Sequence, residues 1–255
     1  MPLEVLLERG FQVEFHSHAE AILTVDFPEA LAEIEAVLER LEIPVEKLVR
    51  GGGGESETTQ GLRHSLAARG WKKHNFTITK SIDGVVRESI SHEIDHVRDL
   101  LPKGKIAMEI EWNNKDPFFD RDLENFKRLH ADAAISTGIL LTRGATLQHH
   151  IRGIVTKFAF DNSVESYEDL VQFAVEPTIR QRRLVADRMR AAGVPFAEAW
   201  AEVFCHDKYG QATTHWRKLE DRVHRGVGNP CPLLLIGIPH NIITFPEGSA
   251  DGVEG

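Results

Sequence analysis

The chain has 255 residues, 42% of them hydrophobic, and a formal net charge of −9. That is enough apolar material for one full core, and no apolar run nears the roughly 20 residues that span a bilayer. The acidic balance weighs against nucleic-acid binding over the whole surface, although carboxylates gathered at a metal site would account for part of it. Cys205 and Cys231 are too few for a disulfide framework. The opening "MPLEVLLERG" carries acidic residues where a signal peptide carries basic ones, so a cytoplasmic location is expected.

In chain order, "DFPEALAEIEAVLERLEIP" predicts a helix capped by Asp26, with Leu31, Ile34, Val37, Leu38 and Leu41 on one stripe and Pro44 ending it. The glycines Gly51–Gly54 follow in a mobile polar segment that lacks the Lys-Ser/Thr ending of a phosphate-cradling loop. "LRHSLAARGW" predicts a short helix closed by Gly70. "HNFTITKSIDGVVRESI" predicts two strands around a turn at Asp83-Gly84. "AMEIEWNN" alternates strictly and predicts a strand, followed by a helix with Leu123, Phe126 and Leu129 on one face. "AAISTGILLT" and "PLLLIGIP" predict buried strands. Between them, helices are expected over Ser163 to Val175, Thr178 to Ala192 and Ala197 to Phe204. "HDKYGQATTHW" breaks the helical pattern before "RKLEDRVHRG" resumes it. The order suggests an α/β fold, a mixed sheet with helices packed on it.

The chemistry lies in the alternating strand. Glu109 and Glu111 point to one side, Asn113 continues the row, and Asp95 in "SHEIDHVRD" stands just upstream. An edge strand with one wet face would also alternate. Here the lead-in "KIAMEI" is apolar, as a sheet interior requires, and carboxylates buried there are costly without a partner. Converging acids repel one another unless a cation sits among them, and a hard divalent ion such as Mg2+ suits oxygen ligands beside phosphate. This much points to a metal-dependent hydrolase. The histidines at 16 and 18, 92 and 96, and 149 and 150 lack zinc-type spacing with a carboxylate or thiol, although His92 and His96 can line the site.

An Asp followed by a strand bearing Glu-x-Glu and a polar turn resembles the PD-(D/E)xK nuclease core, and in particular the BglII/BstYI/BamHI-like group of type II restriction endonucleases. "LRHSLAARGWKKHNF", "SHEIDHVRD", "AMEIEWNNKDPFFDRDLENFKRLHAD" and "KYGQATTHWRKLEDRVHRGVGNPCPLLLIGIP" resemble segments of that group in the same order. The resemblance covers most of the chain from about Gly51 to Pro239. It implies a restriction-endonuclease-like core over residues 1–240, with 161–205 as an extra helical insertion; the composition of the tail 246–255 separately predicts disorder. It implies a cut at a short, palindromic site, leaving 5′-phosphate and 3′-hydroxyl ends, with Mg2+ as cofactor and Mn2+ as a substitute.

By position, the resemblance makes Asp95 the first acid, with Asp99 its rival, and Glu109 the second. Both would hold the metal. Glu111 stands where most of the superfamily has Lys; members of this group carry Glu or Gln there, so this third group would bind metal or handle the attacking water. Lys115 is a candidate for stabilising the phosphate. For duplex DNA the resemblance implies one reader loop with Lys208, Gln211, Thr213, Thr214 and His215, and Arg217 just beyond it. A second reader would present Asn113, Asn114 and Lys115. Arg217, Lys218, Arg222, Arg225, Lys72 and Lys73 are candidate phosphate contacts. Two-fold symmetric DNA further implies a homodimer, with the Arg121–Leu129 helix as a candidate dimer element. Two other readings keep the DNA partner: a nuclease of DNA repair or of modified DNA, and a DNA-binding protein without catalysis.

Overall fold

The computed structural model describes residues 2–50 and 56–246, so the expectations for the glycine run and for the tail beyond Pro246 lie outside the described residues. Helix α1 (Glu4–Glu8) leads into β1 (Gln12–His16), a five-residue strand too short to stand out in the sequence. Helix α2 (Ala19–Ala21) runs into a π-helical turn, Ile22–Asp26, before α3 (Pro28–Leu38). The expected cap at Asp26 is not formed: that residue closes the π turn, Phe27 precedes the helix without a side-chain cap, and Pro28 supplies the first helical residue. The helix also stops at Leu38 rather than at Pro44. Its end is held by Arg9, whose guanidinium donates to the carbonyls of Leu38 (2.9 Å), Glu39 and Leu41 (3.1 Å). The chain then forms β2 (Ile43–Pro44) and α4 (Val45–Val49).

Helix α5 (Glu57–Ala67) starts at Ser56, whose hydroxyl accepts from the Thr59 N–H. Next comes the expected hairpin, β3 (Trp71–Ile82) and β4 (Val85–Asp99). Asp83 (φ 51°) and Gly84 (φ 78°) both take positive φ, as its two-residue turn demands. Strand β5 (Lys105–Glu111), helix α6 (Phe118–Ala131), strand β6 (Thr137–Arg143) and helix α7 (Ala145–Asp161) follow.

The helix expected over Ser163 to Val175 is absent; turns and a short 3-10 segment, Val171–Phe173, occupy that stretch. Asp169 Oδ2 accepts from the backbone N–H groups of Glu165 and Ser166 and from the Ser166 hydroxyl, a local capture that competes with helix formation. Helix α8 (Ile179–Ala192) carries a capping box at Thr178 and Gln181 and ends at Gly193. Helix α9 (Phe196–Tyr209) is longer than expected and absorbs "HDKY", because Tyr209 is buried with its hydroxyl donating to the Leu48 carbonyl at 2.8 Å. Helix α10 (Trp216–His224), strand β7 (Leu233–Ile238) and the two-residue β8 (Ile243–Thr244) complete the described chain.

The central sheet has six strands in the order β1-β7-β6-β5-β4-β3, while β2 pairs with β8 separately. Strands β5, β6 and β7 run parallel, and β1, β4 and β3 add antiparallel edges. This is the mixed α/β sheet that the sequence suggested. One face packs on α3, α4, α5, α7 and α9, and the other on α6 and α10. Strand β4 meets β5 only over His96–Asp99, so the rest of the hairpin is a two-stranded arm with Ser81–Arg87 at its exposed tip.

Helix α6 lies close to the sheet because Gly138 of β6 leaves room for Phe126. A Cβ on Gly138 would come within 2.7 Å of Phe126 Cγ. Gly138→Ala is therefore expected to lower unfolding free energy by about 1–3 kcal/mol through overpacking. Chemical denaturation against wild type measures this; equal midpoints would show that the ring can step aside.

Candidate active site

Strand β5 has the two faces that its alternation predicts. Ile106, Met108 and Ile110 enter the core beneath α3, α5 and α7, together with Trp112. Ala107 joins the opposite core, and Glu109 (4% exposed) and Glu111 (3%) face helix α6. Asn113 does not continue that row: it lies past the strand end and lines a cavity with Ile110 and Trp112.

Asp95 reaches the same place through an irregularity in the hairpin. Lys72 pairs with Val97 and His74 with Ile94, so two residues of β4, Asp95 and His96, stand opposite Lys73 alone. This bulge turns the strand, and Ile94 and Val97 both enter the core beneath α6. The Asp95 N–H donates to Glu109 Oε1 at 3.3 Å. Its carboxylate stays open to solvent, 3.7 Å from the Lys73 ammonium, which also pairs with Glu93 at 2.7 Å. Asp99, the rival first acid, pairs with Lys105 at 3.1 Å at the far end of β5. Asp95, Glu109, Arg121, Ser91, His92, Glu93 and Asn125 line a cavity of about 430 Å3.

Helix α6 adds two groups that the sequence reading missed. Asp122 is 1% exposed and faces Glu111. Its Oδ2 meets no donor among the described residues. Arg121 bridges the pair: it lies 2.7 Å from Asp122 Oδ1 and 3.4 Å from Glu111 Oε1. The signal was available in "FFDRDLENFKRL", where position 122 falls on the stripe of Phe119, Leu123 and Phe126, an acid among core residues. Asn114 Nδ2 also donates to Glu111 Oε2 at 2.7 Å.

The electrostatics follow from burial. Glu109 is pushed well above the usual carboxylate range, first by desolvation and then by the charges of Asp122 and Asp95. Glu111 and Asp122 are both raised, chiefly by burial, and for Glu111 next by the charge of Asp122 beside it. Arg121 works against this rise in both. His92 Nδ1 bonds Asn125 Oδ1 at 2.9 Å, which fixes one wall of the cavity. His96 Nδ1 bonds the Met108 carbonyl at 3.3 Å, and burial lowers its pKa.

A hard divalent cation fits this donor set: carboxylate oxygens, no thiol, and buried acids held short of full ionisation for want of positive charge. Among the described residues, no three His, Cys, Asp or Glu side chains are arranged as a ready-made cage for an ion.

The two reader segments are brought together, although most of their side chains are committed elsewhere. Thr214 N–H donates to the Asn114 carbonyl (2.8 Å), Asp116 N–H to the Ala212 carbonyl (3.1 Å), and Lys115 bridges Thr213. Beneath them lies Arg143, fully buried at the end of β6. It donates to the Trp112 carbonyl (2.7 Å), Gln148 Oε1, Thr213 Oγ1 and the Thr214 carbonyl (each 2.6 Å), and it stacks over Tyr209. Four expected base readers are corrected by this arrangement. Lys208 lies on α9 and donates to the carbonyls of Leu48 (3.0 Å) and Arg50 (2.7 Å), and burial lowers its pKa to about 8. Thr213 is tied to Arg143, and Thr214 and His215 are buried. Asn114, Lys115, Gln211 and Arg217 remain exposed. Of the candidate phosphate contacts, Lys218 and Arg222 pair with Asp116, and Arg222 also pairs with Asp120. Arg225 pairs with Asp221, whereas Lys72 is exposed.

Among known families, the model of the restriction endonuclease BglII/BglIII matches residues 11–238. The chain belongs to the BglII restriction endonuclease family. It is a type II restriction endonuclease, a site-specific deoxyribonuclease that binds duplex DNA, of a kind that generally uses divalent metal ions. No individually curated protein matches it. No helix among the described residues is long and apolar enough to cross a membrane.

The raised acids set a pH dependence for the BglII-family fold. A carboxyl whose folded pKa lies above its unfolded value stabilises the fold at low pH and loses that contribution as pH rises through the folded value. Metal-free protein should therefore lose stability between the ordinary 4.5 and about 8. Glu111→Gln should flatten that slope. Thermal melts across this window in chelator check it; a slope unchanged by the substitution would remove Glu111 as its source.

Proposed function

We propose that this type II endonuclease hydrolyses DNA at a short palindromic site in a Mg2+-dependent reaction, with Mn2+ as a substitute, leaving 5′-phosphate and 3′-hydroxyl ends. The observation that carries the reading is the meeting of Asp95 and Glu109 on one cavity wall beside the bulge, with Glu111 and Asp122 buried next to them. Asp95 and Glu109 would hold the ion. When bound, such an ion makes water nucleophilic at neutral pH and offsets the charge that grows on the phosphodiester.

Glu111 has a different part. Its raised pKa suits it to take a proton from the attacking water, the task that falls to other groups where the superfamily has Lys. Asn114, donating to Glu111 Oε2, orients that carboxyl so that Oε1 faces Arg121 and the cavity side. Lys115 is exposed on the platform and suits a phosphate contact rather than a catalytic one. On this reading Asn113, Asn114, Lys115, Gln211 and Arg217 meet the DNA, while Arg143, Thr213, Thr214, His215 and Lys208 hold the backbone that presents them. Residues 161–205 are an addition to the nuclease core that forms one domain with it, and the enzyme works in the cytoplasm, where its substrate is.

Purified protein with unmodified phage DNA and Mg2+ should give discrete bands, and Asp95→Ala or Glu109→Ala should lower the rate by at least about 10^3-fold. Glu111→Gln should leave a measurable fraction of the activity. A smear would replace site-specific cutting by a non-specific reaction, cutting of methylated DNA alone would select the modified-DNA reading, and gel shift without cutting would remove catalysis.

The proposed homodimer places one subunit on each half-site and cuts each strand once. Sedimentation with a duplex carrying a single mapped site should give two chains per duplex. One chain per duplex at saturating protein would overturn the dimer.

A further inference from the structure

The acidic cluster holds its own cation. Arg121 donates through Nε to Asp122 Oδ1 (2.8 Å) and through Nη2 to Glu111 Oε1 (3.4 Å), with Nη2 also in ion-pair contact with Asp122 Oδ1 at 2.7 Å. The two acids are nearly sealed, at 1% and 3% side-chain exposure, whereas the Arg121 side chain is 53% exposed and rests on the Phe118 ring at 4.4 Å. The acids are therefore fixed by the core, and the guanidinium can leave toward solvent by side-chain rotation. Asp122 keeps one oxygen, Oδ2, without any donor among the described residues although it is buried. A single guanidinium thus leaves the cluster short of positive charge and of donors, a deficit that a divalent ion with several open positions can meet.

We propose that Arg121 is a displaceable counter-ion of the buried Glu111–Asp122 pair that gives way when a divalent ion enters the cavity beside it, and that Asp122 is a further acid facing that ion. The inference rests on the proposed metal dependence and adds two residues to it. Arg121 is one residue from Asp122 on α6, so its departure frees Glu111 and Asp122 together. While it is in place it offsets repulsion between buried acids, and ion entry must break its two ion pairs. The affinity of the free protein for metal is consequently lowered by the cost of that displacement.

Isothermal titration of Mg2+ alone, and of Ca2+ alone, into metal-free protein without DNA tests this. Arg121→Met should bind Mg2+ about tenfold more tightly than wild type, a change worth 1.4 kcal/mol. Its metal-free form should melt at lower temperature, with the difference closing at saturating Mg2+. Arg121→Lys, which keeps the charge but loses the fork, should shift affinity in the same direction by less, and it carries the test should Arg121→Met not fold. Asp122→Asn should weaken Mg2+ binding. Unchanged or weaker binding by the Arg121 variants, or Asp122→Asn binding as tightly as wild type, would overturn the inference. Wild type that cuts DNA in Mg2+ while the Arg121 variants bind no tighter would leave the proposed function standing and remove only this step. Cutting that persists in chelator, with no Mg2+ uptake by any variant, would remove both.

Discussion

Two glutamates on an interior strand are the constraint to which the rest of this site answers. Strand β5 carries Glu109 and Glu111 against helix α6, where both are almost wholly removed from bulk water. Burying an ionised carboxylate costs several kcal/mol unless charge and hydrogen bonds offset it. The molecule offers partial answers: the guanidinium of Arg121, the amide of Asn114 and the N–H of Asp95. None neutralises the group. What is left over is an attraction for cations, directed into the cavity where Asp95 reaches the surface.

A second buried charge organises the neighbouring surface. Arg143 sits at the C-terminal end of β6, one strand over from Glu111, and is bound by carbonyls from two separate loops. Burial pulls its pKa down to about 10, still far enough above neutrality to keep it charged. It ties Trp112, at the end of the carboxylate strand, to Thr213 and Thr214 in the loop before α10. The distance between the acids and the exposed platform is thereby set by a side chain that touches neither solvent nor the acids. A nuclease has to align a phosphate with base edges on rigid supports, and a buried guanidinium with a fixed fork suits that task.

Much of this was legible in the sequence because the relevant patterns are local. The alternation of β5, the branched runs of β6 and β7, and the Asp83-Gly84 turn are short-range signals with one structural solution each. The acids at 95, 109 and 111 could be grouped for the same reason. What escaped was set by tertiary contact. Arg143 looks like an ordinary charged residue until the end of β6 places it inside, whereas Asp122 left only the weak mark of an acid on the apolar stripe of α6. The end of α3 is fixed by Arg9, some 30 residues away in the chain, and the stretch over Ser163–Val175 unwinds around one aspartate. The reader loop was misjudged because helix α9 extends as far as Tyr209, whose partner Leu48 lies on the other side of the sequence.

The β3–β4 arm adds a mechanical element. A ribbon of two strands is barely stable by itself, and this one carries Ile82, Val85 and Val86 bare at its tip. It joins the rigid sheet at the bulge, where β4 begins to pair with β5. The carboxylate that lines the cavity with Glu109 thus stands at the joint between a bare two-stranded ribbon and the six-stranded sheet.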